Sequence, residues 1–231
     1  DPSRIAFAEN LMSGIATAFA AMFVGWTTII LGKLALVGKD EEPGFGQSVA
    51  LGFAGVVGGL TTAFASSIWF SAVEGEVYAL STFFTCLTLW STVKWYSLPN
   101  ETQYDRWLVF ALYSIGLSIG VHLLSLLIMP AMGLLYYFQK YKDHSLWGGF
   151  LAILSGLIGM FVIQKIIIVG IPTLWSWIEL LFVNGFGLPV NSGIIPLILI
   201  LGAGFYFSIR WATQRQYVLL QQLFTALTLA V

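Results

Sequence analysis

Long apolar stretches separated by short polar clusters dominate this sequence. A helix needs about 20 apolar residues to cross the hydrocarbon core of a membrane. The segments predicted to do so are residues 5–31, 47–70, 73–93, 146–169 and 190–209. The second is rich in Gly and Ala, which lets a neighbouring helix approach closely. The pattern predicts an all-α, polytopic transmembrane helical bundle of about 7–8 membrane helices, two of them short.

The two short helices come from residues 107–138, an apolar run of 32 residues that is long for one crossing and short for two. If the run crosses twice, eight basic residues fall on one side of the membrane; if it crosses once, four fall on each side. The positive-inside rule favours two crossings and makes that side cytoplasmic. The eight residues are Lys33, Lys39, Lys94, Arg106, Lys140, Lys142, Arg210 and Arg215. Two short helices would also leave a recess near their turn.

The end of the sequence is less regular. Residues 171–189 carry Trp175 and Trp177, and because Trp prefers the headgroup level, this segment is predicted to be interfacial. The apolar run 217–231 has no closing polar anchor, and residues 1–4 do not resemble a signal peptide. We expect residues 1–231 to be a single transmembrane helical domain within a longer chain.

Composition supports a membrane protein and excludes several other classes. Charged residues make up 9% of the chain, hydrophobic residues 58%, and the mean hydropathy is +0.87. A soluble domain carries roughly 25% charged residues. The net charge of −1 means that the chain has no excess of positive charge to attract nucleic acid. Cys86 is the only cysteine, so no internal disulfide can form, and no phosphate-binding, zinc-protease or nucleophile-elbow motif is present.

Two carboxylates, Glu74 and Glu76, interrupt an apolar stretch that the topology places at the outer face. A charge close to hydrocarbon is costly and often functional. Residues 71–74 also fit a capping box, in which Ser71 and Glu74 would satisfy free amides at a helix start. A cap of this kind does not explain Glu76, which is either a site residue or a first-turn acid favoured by the helix dipole.

Four further residues are candidates for substrate binding. Tyr78 is predicted near the same interface, where it is either a belt aromatic or part of the site. His122 falls at the predicted turn, as a structural histidine held by Ser118 or Ser125, or as a catalytic or phosphate-binding group. Lys165 either extends to the headgroups or contacts a lipid phosphate. Arg4, at the outer end of the first span, either pairs with Glu9 or serves the site.

Three stretches together resemble a bacterial family of protein O-mannosyltransferase-like membrane proteins within the GT-C glycosyltransferase superfamily. They are residues 1–7 (DPSRIAF) with 10–13 (NLMS), residues 69–80 (WFSAVEGEVYAL), and residues 106–107 (RW) with 116–124 (GLSIGVHLL). The resemblance covers about residues 1–140, and its middle stretch is the most specific.

This resemblance implies a GT-C-like fold in the bacterial inner (cytoplasmic) membrane that transfers sugar from a polyprenyl-phosphate donor to a protein or lipid acceptor at the extracytoplasmic face. In such enzymes an acidic residue in the first external loop is the base, and a second acidic position follows in the next external loop. Glu76 matches the second position, with Glu74 beside it. The first loop would precede Asp1, so we expect the sequence to lack the first transmembrane helix and that loop.

Alternatives from other classes stay open at this stage. A transporter or a non-catalytic scaffold subunit would also be a helical membrane protein, although transporters usually place their ionisable sites near the midplane. A divalent metal is compatible with carboxylates near phosphates, but Glu74 and Glu76 alone do not make a metal site. The cofactor, the sugar and the acceptor are not determined by the sequence.

Overall fold

The computed structural model describes residues 2–215, with side chains from residue 4. Within this part of the chain the protein is helical and contains no strand, as predicted. The α-helices are α1 (Pro2–Leu36), α2 (Phe45–Ala63), α3 (Ser66–Val73), α4 (Val77–Ser97), α5 (Arg106–Ile119), α6 (Met129–Lys140), α7 (Leu146–Val162), α8 (Ile171–Leu180) and α9 (Ile194–Gln214). The apolar run 217–231 lies outside the described residues.

Helical stretches long and apolar enough to span a membrane confirm a multi-pass membrane protein. Between residues 2 and 215 there are five: Arg4–Leu36, Phe45–Ala63, Leu123–Lys140, Leu146–Gly185 and Ile194–Gln214. Many large apolar side chains on these helices are exposed. Such exposure is expected where lipid, rather than water, is the solvent for the side chains.

Helix α1 is the central element of the N-terminal half and packs against α2, α3 and α4. It lies parallel to α4, because Phe19 meets Phe83 at 6.4 Å and Trp26 meets Trp90 at 5.4 Å between ring centroids. The starts of α1 and α4 therefore lie at one end of the bundle, which we call the outer end. The opposite end, where α1 and α4 finish, is the inner end; the names follow the predicted orientation.

Glycines set the distance between α1 and the antiparallel α2. A Cβ added at Gly25 would stand 2.8 Å from the Gly55 carbonyl oxygen, and one added at Gly59 would stand 3.2 Å from the Ala21 oxygen. The two backbones are thus almost in contact, as small residues permit in membrane helices. The close approach predicted from the Gly-rich second span is confirmed.

The second predicted span is wrong in one respect, because it is not one helix. Helix α2 ends at Ala63, Ala65 adopts an extended conformation, and α3 begins at Ser66. No Gly or Pro marks this break, and the hydroxyl residues on both sides (Thr61, Thr62, Ser66 and Ser67) are uncharged, so hydropathy alone does not register it. The third span also begins later than predicted, since α4 starts at Val77.

The prediction of two short helices within residues 107–138 is confirmed. Helix α5 has 14 residues and α6 has 12, and a turn at residues 120–122 with a 3₁₀ segment (Leu123–Ile128) joins them. Fourteen residues span about 21 Å, less than the ~30 Å hydrocarbon core. The turn is closed by a hydrogen bond between the Ser118 and Ser125 hydroxyls.

The C-terminal part differs from the predicted pattern. Residues 146–185 form one continuous helical stretch of 40 residues, so residues 171–189 are not a separate segment. Pro172 lacks an N–H, and the π-helical segment Ile163–Gly170 directly before it shifts the hydrogen-bond register, which allows the helix to continue. The last described helix, α9, starts four residues later than the predicted span.

A buried apolar cluster lies between α4, α5, the 3₁₀ segment and α6. Its members are Trp95, Leu108, Ala111, Ile115, Leu126 and Met132. This core fixes the pair of short helices against α4. It thereby sets where the turn between them meets the start of α4 at the outer end.

Candidate functional site at the outer end

The link between α3 and α4 carries Glu74 and Glu76 at the outer end of the bundle. Glu74 directly follows α3, and its backbone N–H donates to the Phe70 carbonyl oxygen at 3.1 Å. The N–H of Glu76 donates to the Glu74 carbonyl oxygen at 2.8 Å, which makes the link a tight turn. Both residues are exposed. Their carboxylates make no hydrogen bond or ion pair with any residue that the structure describes.

The predicted capping box at residues 71–74 is wrong. Ser71 lies inside α3, where its hydroxyl donates to the Ser67 carbonyl oxygen at 3.0 Å, and Glu74 follows the helix rather than opening one. Glu76 is the residue that precedes α4, in an extended conformation and with no side-chain capping bond. The local pattern fitted a helix start, but the hydroxyl bonds within the preceding helix.

The start of α1 lies directly beside this link. A Cβ added at Gly75 would stand 3.2 Å from the Glu9 Cβ, 3.4 Å from the Glu9 Oε2 and 3.5 Å from the Asn10 Oδ1. Glycine therefore permits the backbone that carries Glu74 and Glu76 to rest on Glu9 and Asn10. Both of these side chains are exposed. The backbone that carries Glu74 and Glu76 thus meets Glu9 and Asn10 at one corner of the outer end.

Tyr78 and His122 meet beside the same corner. Tyr78 lies in the first turn of α4, and its ring centroid is 5.9 Å from that of His122. Both side chains are exposed, so an imidazole and a phenol are open to a ligand. The predicted contact of His122 with Ser118 or Ser125 through their hydroxyls is wrong, because these hydroxyls bond to each other. Instead, the backbone N–H of His122 donates to the Ser118 carbonyl oxygen at 2.7 Å.

The other two candidate residues do not contact this group. Arg4 is exposed in the first turn of α1 and forms no ion pair with Glu9 in the described part of the chain. Five residues of helix separate them by about 140° around the axis. Lys165 is exposed in the π-helical segment and has no polar partner among residues 4–215. Their roles stay predictions.

An apolar groove of about 620 Å³ runs between the outer half of α5 and the stretch from α7 to α8. Gly116, Ile119 and Gly120 line one wall, and Ile167 and Pro172 line the other. The groove confirms the recess expected near the turn of the two short helices. Lys165 belongs to the same helical stretch but does not line the groove.

No metal centre can be assigned in residues 4–215, because no three His, Cys, Asp or Glu side chains converge there. Backbone packing brings the acidic residues of the outer end to one region, but it does not arrange their carboxylates around a common metal position.

Glu9 and Asn10 lie at the outer-end corner, although neither is a predicted site residue: the sequence indicates Glu9 mainly as a partner of Arg4, and Asn10 only as part of a stretch that resembles the family. The available signal was topological: two parallel spans start at one end, so polar residues in their first turns lie at similar depth. The contact with Gly75 depends on packing and could not be read from the sequence.

A second polar cluster, also missed, lies at the inner end. The Asp105 carboxylate accepts hydrogen bonds from Lys140 Nζ at 2.9 and 3.1 Å and from Trp95 Nε1 at 3.0 Å. Gln139 donates to the Leu98 carbonyl oxygen at 3.0 Å and accepts from Lys39. Burial lowers the pKa of the Lys39 ammonium, while Asp40 acts in the opposite direction. The cluster ties α4, α5, α6 and the α1–α2 link together.

The fold and the exposed acidic corner define a multi-pass helical membrane protein with a candidate polar site at one end. Residues 1–145 match the family model described as the protein O-mannosyl-transferase TMEM260 N-terminal domain. The match covers more than half of the 231 residues, so the chain belongs to this family. No curated protein and no solved structure matches the chain.

Family membership confirms the O-mannosyltransferase part of the resemblance and supports a glycosyltransferase-like role. The matched region contains α1 to α6 and with them Glu74, Glu76, Tyr78, His122 and Arg4. Lys165 lies beyond it. The outer-end corner is therefore part of the segment that carries the family relationship.

Proposed function

We propose that the chain is part of a GT-C-type membrane glycosyltransferase. It transfers a mannosyl group from a polyprenyl-phosphate donor to an acceptor hydroxyl of a protein or lipid, at the extracytoplasmic face of the bacterial inner membrane. The observation that carries the proposal is the position of Glu74 and Glu76 within the matched region, on a turn packed against Glu9 and Asn10.

The reaction needs groups that position the acceptor and the donor, which this corner offers, and a carboxylate base, which the resemblance assigns to another external loop. Transfer forms a bond between the acceptor oxygen and the sugar C1, and breaks the bond between C1 and the phosphate oxygen. The acceptor proton passes to a carboxylate base, and the phosphate leaves with the bonding electrons. General-base help of this kind contributes about 10²–10⁴-fold.

Individual roles follow from placement and from the resemblance. The resemblance assigns the base to a different acidic loop, so Glu76 positions the acceptor or the donor, with Glu74 beside it. His122, whose ring lies 5.9 Å from that of Tyr78 at a tilt of 50°, donates a hydrogen bond to the donor phosphate. Lys165 and Arg4 supply positive charge toward the same phosphate. An unpaired cation near the membrane surface suits an anionic lipid headgroup.

The test is sugar transfer by the full-length protein in proteoliposomes, with radiolabelled polyprenyl-phosphate mannose and a hydroxyl-containing acceptor. We expect Glu76→Gln to lower kcat by about 10²-fold, because misplacement of a reacting group costs about that much. Glu41→Gln is the matched control, since Glu41 is an exposed glutamate in the α1–α2 link near the inner end. His122→Gln should raise KM for the donor more than it lowers kcat.

Other outcomes would refute specific parts of the proposal. Full activity of Glu76→Gln would remove Glu76 from the mechanism. Movement of substrate into liposomes without covalent transfer would favour a transporter. Activity that appears only with a co-purifying subunit carrying its own acidic loop would favour a non-catalytic scaffold.

A further inference from the structure

A second pocket lies near the inner end, between α1 and α4. Its volume is about 440 Å³, and Trp26, Ile29, Ile30, Trp90 and Lys94 line it. The volume is within the ~300–1,000 Å³ range of small-molecule pockets. The Trp26 and Trp90 ring centroids are 5.4 Å apart, so two indoles form a continuous wall. We refer to this site as the tryptophan pocket.

Lys94 provides the only formal charge among the residues that line the pocket. Its Nζ lies 5.5 Å from the Trp90 ring centroid and 5.0 Å from that of Trp107. Two other lysines near the inner end, Lys33 and Lys140, form ion pairs with Glu42 and Asp105. Within residues 4–215, Lys94 pairs with no carboxylate, so its positive charge is available to an anion.

The position of the pocket along the helices indicates a membrane–water boundary. Lys94 lies in the last turn of α4, and basic residues cluster at this end. Tryptophan is enriched at headgroup depth, where its ring is apolar and its N–H is polar. Ile29 and Ile30 extend the wall with purely apolar surface. The pocket therefore combines an unpaired ammonium with a wall suited to hydrocarbon.

We propose that the tryptophan pocket binds an anionic phospholipid from the leaflet at the inner end. Lys94 contacts the lipid phosphate, and the first part of an acyl chain lies against Trp26, Trp90 and the two isoleucines. The site is separate from the outer-end corner, because the helix rises by about 25 Å from Glu9 to Trp26. This inference does not depend on the proposed glycosyltransferase activity.

The experiment is native mass spectrometry of the delipidated full-length protein in detergent. The probes are phosphatidylglycerol and phosphatidylcholine with matched acyl chains, mixed in equal amounts. We expect preferential phosphatidylglycerol adducts and about fivefold weaker binding in Lys94→Gln, the equivalent of ~1 kcal/mol for one lysine near an anionic surface. Lys94→Arg should retain binding, which separates loss of charge from loss of folding.

Lys33→Gln is the matched control, because it removes a charge near the same end from a lysine that already pairs with Glu42. We expect it to leave the preference for phosphatidylglycerol unchanged. Equal losses of phosphatidylglycerol binding in Lys33→Gln and Lys94→Gln would show that any positive charge at this end attracts the lipid, and would overturn the proposal. An absence of preference in the wild type would also overturn it, as would displacement of phosphatidylglycerol by polyprenyl phosphate at equal concentration.

Discussion

The ion pair between Asp105 and Lys140 provides the sharpest test of the packing. Asp105 is only 5% exposed and accepts hydrogen bonds from Lys140 Nζ and from the Trp95 indole N–H. Substitution Asp105→Ala removes both interactions and leaves the Lys140 ammonium without its partner. Substitution Asp105→Asn keeps an oxygen acceptor for the indole but removes the negative charge.

The expected loss follows from the burial of the two partners. Removing one member of a fully buried pair costs about 3–5 kcal/mol. The Lys140 side chain is 22% exposed, so part of its charge can be solvated after the change. The lower part of the range therefore applies, and we expect a loss of about 3 kcal/mol for Asp105→Ala. For Asp105→Asn we expect about 2 kcal/mol, because the hydrogen bond from Trp95 survives.

The assay is equilibrium unfolding in mixed micelles, followed by tryptophan fluorescence. A double-mutant cycle with Lys140→Gln isolates the pairwise interaction, and we expect a coupling energy above about 1 kcal/mol. Asp143→Asn is the control, because Asp143 is an exposed acid in the α6–α7 link. If Asp105→Asn and Asp143→Asn unfolded alike, or the coupling fell below about 0.5 kcal/mol, the buried pair would not stabilise the bundle.

Two further predictions concern the C-terminal helices. Gly156→Ala should destabilise the α6–α7 contact by about 1–3 kcal/mol, because its Cβ would stand 2.6 Å from the Pro130 Cα. Gly159→Ala, which would meet only the flexible end of Met129, should be tolerated in the same thermal-unfolding assay. Glu179→Gln should speed amide exchange at the start of α9, since the Glu179 carboxylate accepts hydrogen bonds from the N–H groups of Asn191 and Gly193. Unchanged exchange would show that this cap does not hold the helix start.

Features that depend on many residues at once could be predicted from the sequence. The distribution of eight basic residues identified the two short helices, because a wrong topology would have divided them evenly. The turn was consequently placed at His122, where the structure has it. The break after Ala63 and the continuous helix over residues 146–185 could not be predicted in this way. Hydropathy indicates whether a segment lies in lipid or in water, but it does not indicate where a helix breaks or continues.

The same distinction applies to the candidate site: its position follows from the sequence, but its contacts do not. The placement of Glu74 and Glu76 at one end required only the order of the spans, and the structure places both at the end where α1 and α4 begin. The capping box failed because Ser71 bonds inside α3, a matter of where one helix stops. The neighbours Glu9 and Asn10 depend on the parallel packing of α1 and α4 and on the absence of a Cβ at Gly75. Such contacts are determined by three-dimensional packing.

Helix α4 explains how the two ends of the molecule are related. It begins beside Glu76 and Tyr78 and ends with Lys94 and Trp95, so both polar clusters and the tryptophan pocket share one rigid element. Its buried hydroxyls would be costly in hydrocarbon, but those of Ser91 and Thr92 donate to backbone oxygens of the same helix. The hydroxyls of Ser81 and Thr88 are buried without a hydrogen-bond partner among the described residues, and α1, α5 and the 3₁₀ segment pack against this helix. A helix that needs neighbours along its whole length is held in position, which keeps the outer-end residues in a defined arrangement.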